Sequence, residues 1–262
     1  MQTITSRDNS RLVAARKIIA GKDRARILVE GRRLVNEALR SEIEFDECFV
    51  TSGFDDDQLL VNVANRCRFV GEMSARLFHT VADTGTSQGI ILIAQRPETS
   101  LERLERCLRP ATLPIVVMLN GINNPANLGA IFRTAEAADA AGIIVSKNSA
   151  DAFSPKALRA AMGASFRMPI RVDAGFGDAV AWARSHELLV TAADVSATQD
   201  YSQVDWKRPR LLIFGSEAHG LSSDELASVD ETICIKMANQ VDSLNLAVSA
   251  GIILFESKRH NQ

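Results

Sequence analysis

The sequence predicts an α/β protein of two domains, in which a smaller α/β domain precedes a larger domain built on a parallel sheet. Its 262 residues exceed the usual size of a single domain. Short apolar runs typical of strands alternate with stretches in which apolar residues recur at helical spacing. A charged, proline-bounded stretch at residues 98–113 interrupts this alternation, and we interpret it as a short helical linker.

The first domain is predicted to span residues 1–97. Two segments, RLVAARKIIAG and GRRLVNEALRSE, carry apolar residues at the spacing of one helix face. Between and after them lie the strand-like runs ILVE, FDECFVTS, RCRFVG and GIILIAQ, the last of which ends just before Pro97. This alternation indicates a small α/β domain.

The second domain is predicted to span residues 114–262. Its strand-like runs have few polar interruptions, as in a parallel sheet that helices cover on both faces. The predicted strands are IVVML, IIVS, RMPIRV, ELLVTAAD, RLLIFGSE and TICIKM. The predicted helices are NLGAIFRTAEAADAAG, SPKALRAAMGA, FGDAVAWARSH and, near the end of the chain, SLNLAVSAGIILFESKR.

Cysteine usage and hydropathy indicate a protein of the cytoplasm. The four cysteines lie far apart, without a CxxC pair or neighbouring histidines, so we expect reduced thiols and no metal site. The first residues, MQTITSRDNSRLV, lack the apolar core of a signal peptide. The most apolar stretch, Leu244–Phe255, is too short to cross a bilayer, so no membrane partner is expected.

Positive charge is concentrated near the start of the chain, although the net charge of the whole is −2. Residues 1–40 carry ten Lys and Arg against four Asp and Glu, whereas residues 41–70 carry two against seven. Phosphate binding needs a local cationic surface rather than a basic protein. Residues 1–40 are therefore a candidate surface for nucleic acid, and solvated helix faces are the alternative explanation.

Three loops at predicted strand ends hold the candidate functional residues, because ligands of open α/β sheets bind beyond the carboxyl ends of the strands. In the first loop, Pro125 and Asn127 mark a helix start, and Asn127 suits an N-cap that accepts from backbone N–H groups. Arg133 lies in an otherwise apolar stretch of that helix. It therefore either extends outward or binds a partner such as a phosphate.

The second and third loops follow later strands. In LLIFGSEAHGLS, Gly215 permits a close approach of backbone and ligand, and Glu217 follows where the strand has ended. His219 is either an ordinary loop histidine or a general base, although no serine or acid lies at an informative spacing. In ICIKMANQVDSLNLAVSAG, Ser243 is predicted to cap the last helix and Asn245 to lie in its first turn.

Together, the three loops resemble the three motifs of the SpoU/TrmH-type methyltransferases of the SPOUT superfamily. The segments NPANLGAIFR, IFGSEAHGL and SLNLAVSAGI occur in the family's order, and the resemblance covers residues 113–258. It implies a trefoil-knotted parallel sheet, one of the rare knotted folds, and a homodimer formed through this domain. Residues 1–97, chiefly through ILVEGRRLVNEAL, resemble the ribosomal-protein-like domain that binds the RNA substrate in this family.

The resemblance also implies the chemistry, which is transfer of a methyl group from S-adenosylmethionine to a ribose 2′-hydroxyl of RNA. Ribosomal RNA is favoured as the substrate, and no DNA is expected. The implied catalytic residues are Asn127, Arg133, Glu217, Ser243 and Asn245. The cofactor is expected to bind at Phe214, Gly215, Ser216, Ile235, Met237 and Leu244. Many relatives have glycine where Ala218 stands and proline where Lys236 stands, and both positions adjoin these cofactor residues.

Arg133 is expected to act as a clamp. An arginine rarely gives up its proton, so it suits a bidentate contact to an RNA phosphate better than the role of a base. It would also stabilise negative charge on the 2′-oxygen. Further RNA contacts are predicted at Arg32, Arg33, Lys156, Arg159 and Arg167. For the residues between Pro155 and Arg171, a solvated helix face is an equally good explanation.

Three other kinds of protein are weighed against a ribosomal RNA methyltransferase. A tRNA 2′-O-methyltransferase, or a non-catalytic RNA-binding assembly factor, would keep the same fold. A nucleotide-dependent oxidoreductase would carry GxGxxG after the first strand of its α/β domain, where this chain has NGINNPANLG. Its absence there argues against the oxidoreductase.

Overall fold

The computed structural model describes residues 1–108, 114–239 and 241–260, so residues 109–113 of the predicted linker lie outside the described residues. The strands are β1 (Gln2–Ile4), β2 (Arg26–Glu30), β3 (Phe45–Thr51), β4 (Phe69–Met73), β5 (Ile90–Gln95), β6 (Ile115–Leu119), β7 (Gly142–Ser146), β8 (Ile170–Ala174), β9 (Leu189–Ala193), β10 (Gln199–Asp200), β11 (Arg210–Phe214) and β12 (Glu231–Cys234). The helices are α1 (Ser10–Ile19), α2 (Arg32–Leu39), α3 (Asp57–Ala64), α4 (Ala75–Phe78), α5 (Leu101–Cys107), α6 (Pro125–Ala137), α7 (Pro155–Ala161), α8 (Ala164–Arg167), α9 (Phe176–Ser185), α10 (Ser223–Ala227) and α11 (Leu246–His260). None of the helices within the described residues is long and apolar enough to cross a membrane.

The chain divides into two compact units, and the first consists of Met1–Pro97 together with Phe153–Arg167. Its sheet has the order β1-β4-β3-β5-β2. β5 runs antiparallel to both of its neighbours, whereas β1, β4 and β3 are parallel. Leu12, Phe49 and Phe78 are fully buried in its core. The predicted small α/β fold of this region is confirmed.

Three elements of the first unit go beyond the sequence prediction, which missed β1, α3 and α4. The strand β1 is short and carries a single buried residue, Ile4. Both helices begin at a capping side chain. Asp56 accepts a hydrogen bond from the Leu59 N–H at 3.0 Å, and Ser74 accepts one from the Leu77 N–H at 3.4 Å. The sequence contains both capping residues, but the helices are too short to show a clear helical spacing of apolar residues.

The segment predicted as one helix, SPKALRAAMGA, forms α7 over most of its length and then breaks, and α8 begins at its last residue, Ala164. α7 ends at Ala161 because its C-cap, Met162, has left-handed backbone angles, and Gly163 follows with a φ of +94°. A Cβ at Gly163 would lie 2.7 Å from the Cβ of Glu37, so this turn requires glycine for both its backbone angle and its contact.

The second unit consists of Glu98–Ala152 and Met168–Gln262. Its sheet has the order β10-β12-β9-β11-β6-β7-β8, and every pairing in it is parallel. The predicted parallel sheet is therefore confirmed. β11 is inserted between β6 and β9, which means that the chain returns to the centre of the sheet after both of those strands.

Helix α5, which lies in the predicted linker, packs into the core of the second unit. Leu104 is fully buried in the same cluster as Val116 and Ile144. The indole N–H of Trp182 in α9 donates to Glu105 Oε1 at 3.1 Å. This helix is therefore held by both apolar and polar contacts to the unit that follows it.

Candidate active site

Four neighbouring strands, β12, β9, β11 and β6, bring their carboxyl ends to one edge of the parallel sheet. The loops that follow β6, β11 and β12 are the three loops that the sequence singles out. Because all strands point the same way, these loops meet although they are far apart in the chain.

The first loop begins α6 at a different residue from the one predicted. The cap is Asn124, whose Oδ1 accepts from the Ala126 N–H at 3.0 Å, so the prediction that Asn127 caps the helix is wrong. Pro125 occupies the first helical position, where its missing N–H costs nothing, and this moves the cap to the residue before it. The side chain of Asn127 is thereby left for other contacts.

Asn127 joins all three loops through hydrogen bonds. Its Nδ2 donates to Glu217 Oε1 at 2.9 Å, and its Oδ1 accepts from Asn245 Nδ2 at 3.4 Å. The structure thus brings together three of the residues predicted as catalytic. The contacts also determine how the amide of Asn127 is oriented, since one end faces a carboxylate and the other an amide donor.

The turn that carries Glu217 is closed by its own backbone. Ser216 and Gly220 exchange two backbone hydrogen bonds of 3.2 and 2.9 Å, and the Ser216 Oγ accepts from the His219 N–H at 3.2 Å. A Cβ at Gly215 would lie 2.4 Å from the carbonyl carbon of Gly220. Glycine is needed here so that the turn can close on itself, and the exposed Glu217 and His219 are presented on a constrained loop.

The third loop reaches the site through the start of α11. Asn245 Oδ1 accepts from the Ala247 N–H at 3.0 Å, so Asn245 caps the helix and the predicted cap at Ser243 is wrong. Ser243 lies exposed, two residues before the cap. Asn245 thus uses both ends of its amide, with the oxygen capping α11 and the nitrogen donating to Asn127.

Arg133 extends outward from α6 into solvent. Its neighbours Ile131, Phe132 and Ala135 are buried, so the guanidinium lies on the outer face of the helix. It forms no hydrogen bond or ion pair with any residue that the structure describes. Of the two predicted alternatives, the structure shows the outward one, and the guanidinium is accessible to a large anionic ligand.

Residues outside the three motifs support the first loop, and the sequence analysis missed them. The Gly121 N–H donates to Ser146 Oγ at 2.9 Å, and the Ile122 N–H donates to Ser149 Oγ at 3.1 Å. Asn120 Nδ2 donates to Glu225 Oε1 at 2.8 Å. Each of these partners is remote in sequence, and a serine or glutamate in a loop gives no sign of such a role.

The predicted cofactor residues differ in how far they are exposed. Phe214 and Gly215 are buried at the end of β11, whereas Ser216 is half-buried. Ile235, Met237 and Leu244 are half-buried apolar side chains on the loop between β12 and α11. Partly exposed apolar side chains beside constrained backbone turns suit the flat, apolar face of an adenine ring. The carboxylate of Asp194 on the neighbouring loop suits a cationic ligand, so these residues fit S-adenosylmethionine.

The residues predicted to bind RNA all lie in the first unit, where three of them are already in ion pairs. Arg32 pairs with Asp55, Arg159 with Asp83 at 2.7 Å, and Arg167 with Glu37 at 2.8 Å. Arg33 and Lys156 are exposed, and neither pairs with a residue that the structure describes.

Comparison with known protein families gives two matches that together cover most of the chain. Residues 114–255 match the SpoU rRNA Methylase family. Residues 28–100 match the family described as RNA 2′-O ribose methyltransferase substrate binding. The first match includes all three loops of the candidate site.

Individual relatives resemble the chain over nearly its full length. It is 28% identical to the 23S rRNA (guanosine(2553)-2′-O)-methyltransferase RlmP of Bacillus subtilis, over 97% of this chain and 98% of the relative. It is 29% identical to the 23S rRNA (guanosine-2′-O-)-methyltransferase RlmB of Vibrio cholerae, over 88% of this chain and 96% of the relative. The crystal structure of an AdoMet-bound rRNA methyltransferase from Sinorhizobium meliloti aligns with a TM-score of 0.86 at 30% identity, over 99% of this chain and 98% of that one.

Proposed function

The chain belongs to the SpoU rRNA methylase family, and we propose that it transfers the methyl group of S-adenosylmethionine to a ribose 2′-hydroxyl of ribosomal RNA. The observation that carries this proposal is the hydrogen-bonded contact of Asn127, Glu217 and Asn245, one residue from each of the three motifs. The two relatives compared above are named as enzymes of 23S rRNA, which favours ribosomal RNA over tRNA.

S-adenosylmethionine supplies, when bound, a methyl group on a positively charged sulfur. We assign its binding to the backbone of Phe214, Gly215 and Ser216 and to the apolar side chains of Ile235, Met237 and Leu244. The turn at residues 215–220 is held by its own hydrogen bonds, so its polar backbone groups are ordered before a ligand arrives. Ala218 and Lys236, which lie beside these residues, are both exposed.

A ribose hydroxyl is a weak nucleophile at neutral pH. The protein must therefore hold it in line with the methyl group and stabilise the negative charge that develops on its oxygen. Asn127, Glu217 and Asn245 fix the start of α6 against the other two loops, and we assign them this positioning role. Ser243, which is exposed and lies two residues before Asn245, is assigned to the same motif.

Arg133 is assigned as the clamp on the RNA. It is exposed and has no partner among the described residues, so a phosphate binds without breaking an existing ion pair. Its fork of N–H donors matches two phosphate oxygens, and its charge lowers the energy of a nearby alkoxide. An arginine keeps its proton at neutral pH, which makes it unsuitable as the base.

The RNA surface is assigned to the first unit. Arg33 and Lys156 are exposed and unpaired within the described residues, so they contact phosphates directly. Arg32, Arg159 and Arg167 would exchange a carboxylate partner for a phosphate. The substrate-binding family match at residues 28–100 supports this assignment. The two family matches support a division into a substrate-binding domain at 1–97, a linker at 98–113 and a methyltransferase domain at 114–262, with residues 153–167 of the last packed into the first unit.

A homodimer is proposed on the basis of α11. Val248 and Phe255 are each 50% exposed and lie two helical turns apart, with the half-buried Ile252 between them on the same side. Large apolar side chains aligned on one helix face mark an interface, and a second copy of the chain presents the same surface. A cytoplasmic location is also proposed, supported by four free cysteines and by a ribosomal RNA substrate.

Methyl transfer by the purified protein tests the proposed function. The protein is incubated with methyl-labelled S-adenosylmethionine and either protein-free ribosomal RNA or tRNA, and the RNA is then hydrolysed with alkali. A 2′-O-methyl group blocks cleavage of the adjacent phosphodiester, so the label should appear in an alkali-stable dinucleotide from ribosomal RNA. Label in tRNA alone would support the tRNA enzyme, and cofactor binding without transfer to either RNA would support the assembly factor.

A further inference from the structure

A fourth loop, outside the three family motifs, reaches the same edge of the sheet. It follows β9, which lies between β11 and β12, and its first residue is Asp194. The Asp194 N–H donates to the Ile233 carbonyl at 2.9 Å, and Asp194 Oδ2 lies 3.9 Å from the Cβ position of Gly220. Asp194 therefore lies between the turn after β11 and the strand leading into the loop after β12, the two segments assigned to cofactor binding.

The two oxygens of this carboxylate differ in their surroundings. Oδ1 accepts hydrogen bonds from the backbone N–H of Ser196 at 2.8 Å and from its hydroxyl. Oδ2 accepts none from any residue that the structure describes. The side chain is half-buried, so one oxygen holds the loop while the other presents negative charge at the edge of the site.

The chemistry of the cofactor complements that charge. S-adenosylmethionine carries a sulfonium and an ammonium group, and its ammonium and ribose hydroxyls are hydrogen-bond donors. A partly buried carboxylate gains more from such a donor than an exposed one does, because water competes less. Two other carboxylates at this edge are already bonded, Glu217 to Asn127 and Glu225 to Asn120 and Ser222. Asp242, on the loop after β12, is exposed.

We propose that Asp194 is a cofactor-binding residue whose Oδ2 accepts a hydrogen bond from a donor group of S-adenosylmethionine. The proposal rests on the proposed function and adds a binding residue to its site. It also gives the loop after β9 a role, since the backbone N–H of Ser196 holds Oδ1 and leaves Oδ2 available to the cofactor.

Calorimetric titration of S-adenosylmethionine into three variants tests the assignment. Asp194→Asn keeps an oxygen that can accept from Ser196 but replaces the Oδ2 acceptor by a donor, so its Kd should rise at least about tenfold. Ser196→Ala removes the hydroxyl that donates to Oδ1 but keeps the backbone hydrogen bond and the carboxylate. Asp205→Asn makes the same charge change in a similar turn before β11, at the opposite end of the strand. Both should bind within about twofold of wild type.

The outcomes separate this proposal from the proposed function. If wild type binds and Asp194→Asn binds equally well, the contact is wrong and the function stands. If Ser196→Ala loses as much affinity as Asp194→Asn, the turn and not the carboxylate matters, which also overturns the contact. If wild type fails to bind at saturating concentration, the proposed function itself fails. Should Asp194→Asn not fold, a wild-type crystal with the cofactor decides, by the presence or absence of a donor within hydrogen-bond distance of Oδ2.

Discussion

The contact between Asn127 and Glu217 can be tested by reversing its polarity. In Asn127→Asp, a carboxylate replaces the amide group that donates to Glu217 Oε1 at 2.9 Å. Two unit charges at that distance repel by about 1.4 kcal/mol even in water, and the lost hydrogen bond adds about 1 kcal/mol. Both side chains are free to turn into solvent, so we take about 2 kcal/mol as the upper limit. This corresponds to a loss of at most roughly thirtyfold in kcat/KM.

The matched variant is the double substitution Asn127→Asp with Glu217→Gln. The new amide of residue 217 donates to the new carboxylate, and the second oxygen of residue 127 still accepts from Asn245. Methyl transfer to ribosomal RNA should therefore recover to within about threefold of wild type, with a coupling energy of about 1–2 kcal/mol. A double variant as impaired as Asn127→Asp alone would refute the reasoning, because the loss would then come from something other than this contact.

Four further perturbations test other parts of the account. Arg133→Lys keeps the charge but loses the fork, so kcat/KM should fall at least about tenfold, and full turnover would disprove the clamp. Phe255→Asp should turn a dimer into a monomer in light scattering, and an unchanged mass would contradict the α11 interface. Arg210→Met removes a buried guanidinium that is paired with the carboxylate of Glu231. Calorimetry should show a free energy of unfolding lower by about 3 kcal/mol and a Tm lower by roughly 10 °C. An unchanged Tm would argue against a structural role of Arg210. Burial raises the pKa of Cys67 to about 12, so at pH 8 a thiol reagent should label the exposed Cys107 rapidly and Cys67 slowly. Equal labelling rates would contradict this prediction. Because an unfolded thiol ionises near pH 8.5, the stability that the protonated Cys67 thiol contributes is fully present below that pH and is lost as the pH rises towards 12.

The sheets were predictable because long apolar strands dominate them. Runs such as IVVML and RLLIF are fully buried in the structure, and burial on both faces is what their composition indicates. Short elements were missed because β1 and β10 contain too few residues to show a period. The order of the strands, with β11 inserted at the centre, was not predicted, since no local pattern encodes it.

The motif residues of the site were predictable, but their contacts were not. Caps were assigned to Asn127 and Ser243 because both residue types suit that role, whereas the structure uses Asn124 and Asn245. When a helix begins a few residues earlier or later than predicted, a different side chain faces the site. Asp194 gave no signal at all, because a single aspartate in a loop acquires meaning only when the neighbouring strands are known.

The cationic residues show a similar limit. The sequence indicated a positive surface, yet Arg159 and Arg167 pair with Asp83 and Glu37, which are distant in the chain. Local charge counts cannot reveal such pairing, because the acidic partners come from other elements of the same unit.

Mapping of 2′-O-methylation at nucleotide resolution in cellular RNA tests the central claim most directly. RNA from cells with and without the gene is compared, and the gene is then restored as wild type and as Asn127→Asp. The account predicts one ribosomal RNA position that loses its methyl group in the deletion strain, regains it with wild type and regains it poorly with the variant. A methylation pattern that is the same with and without the gene would contradict the account.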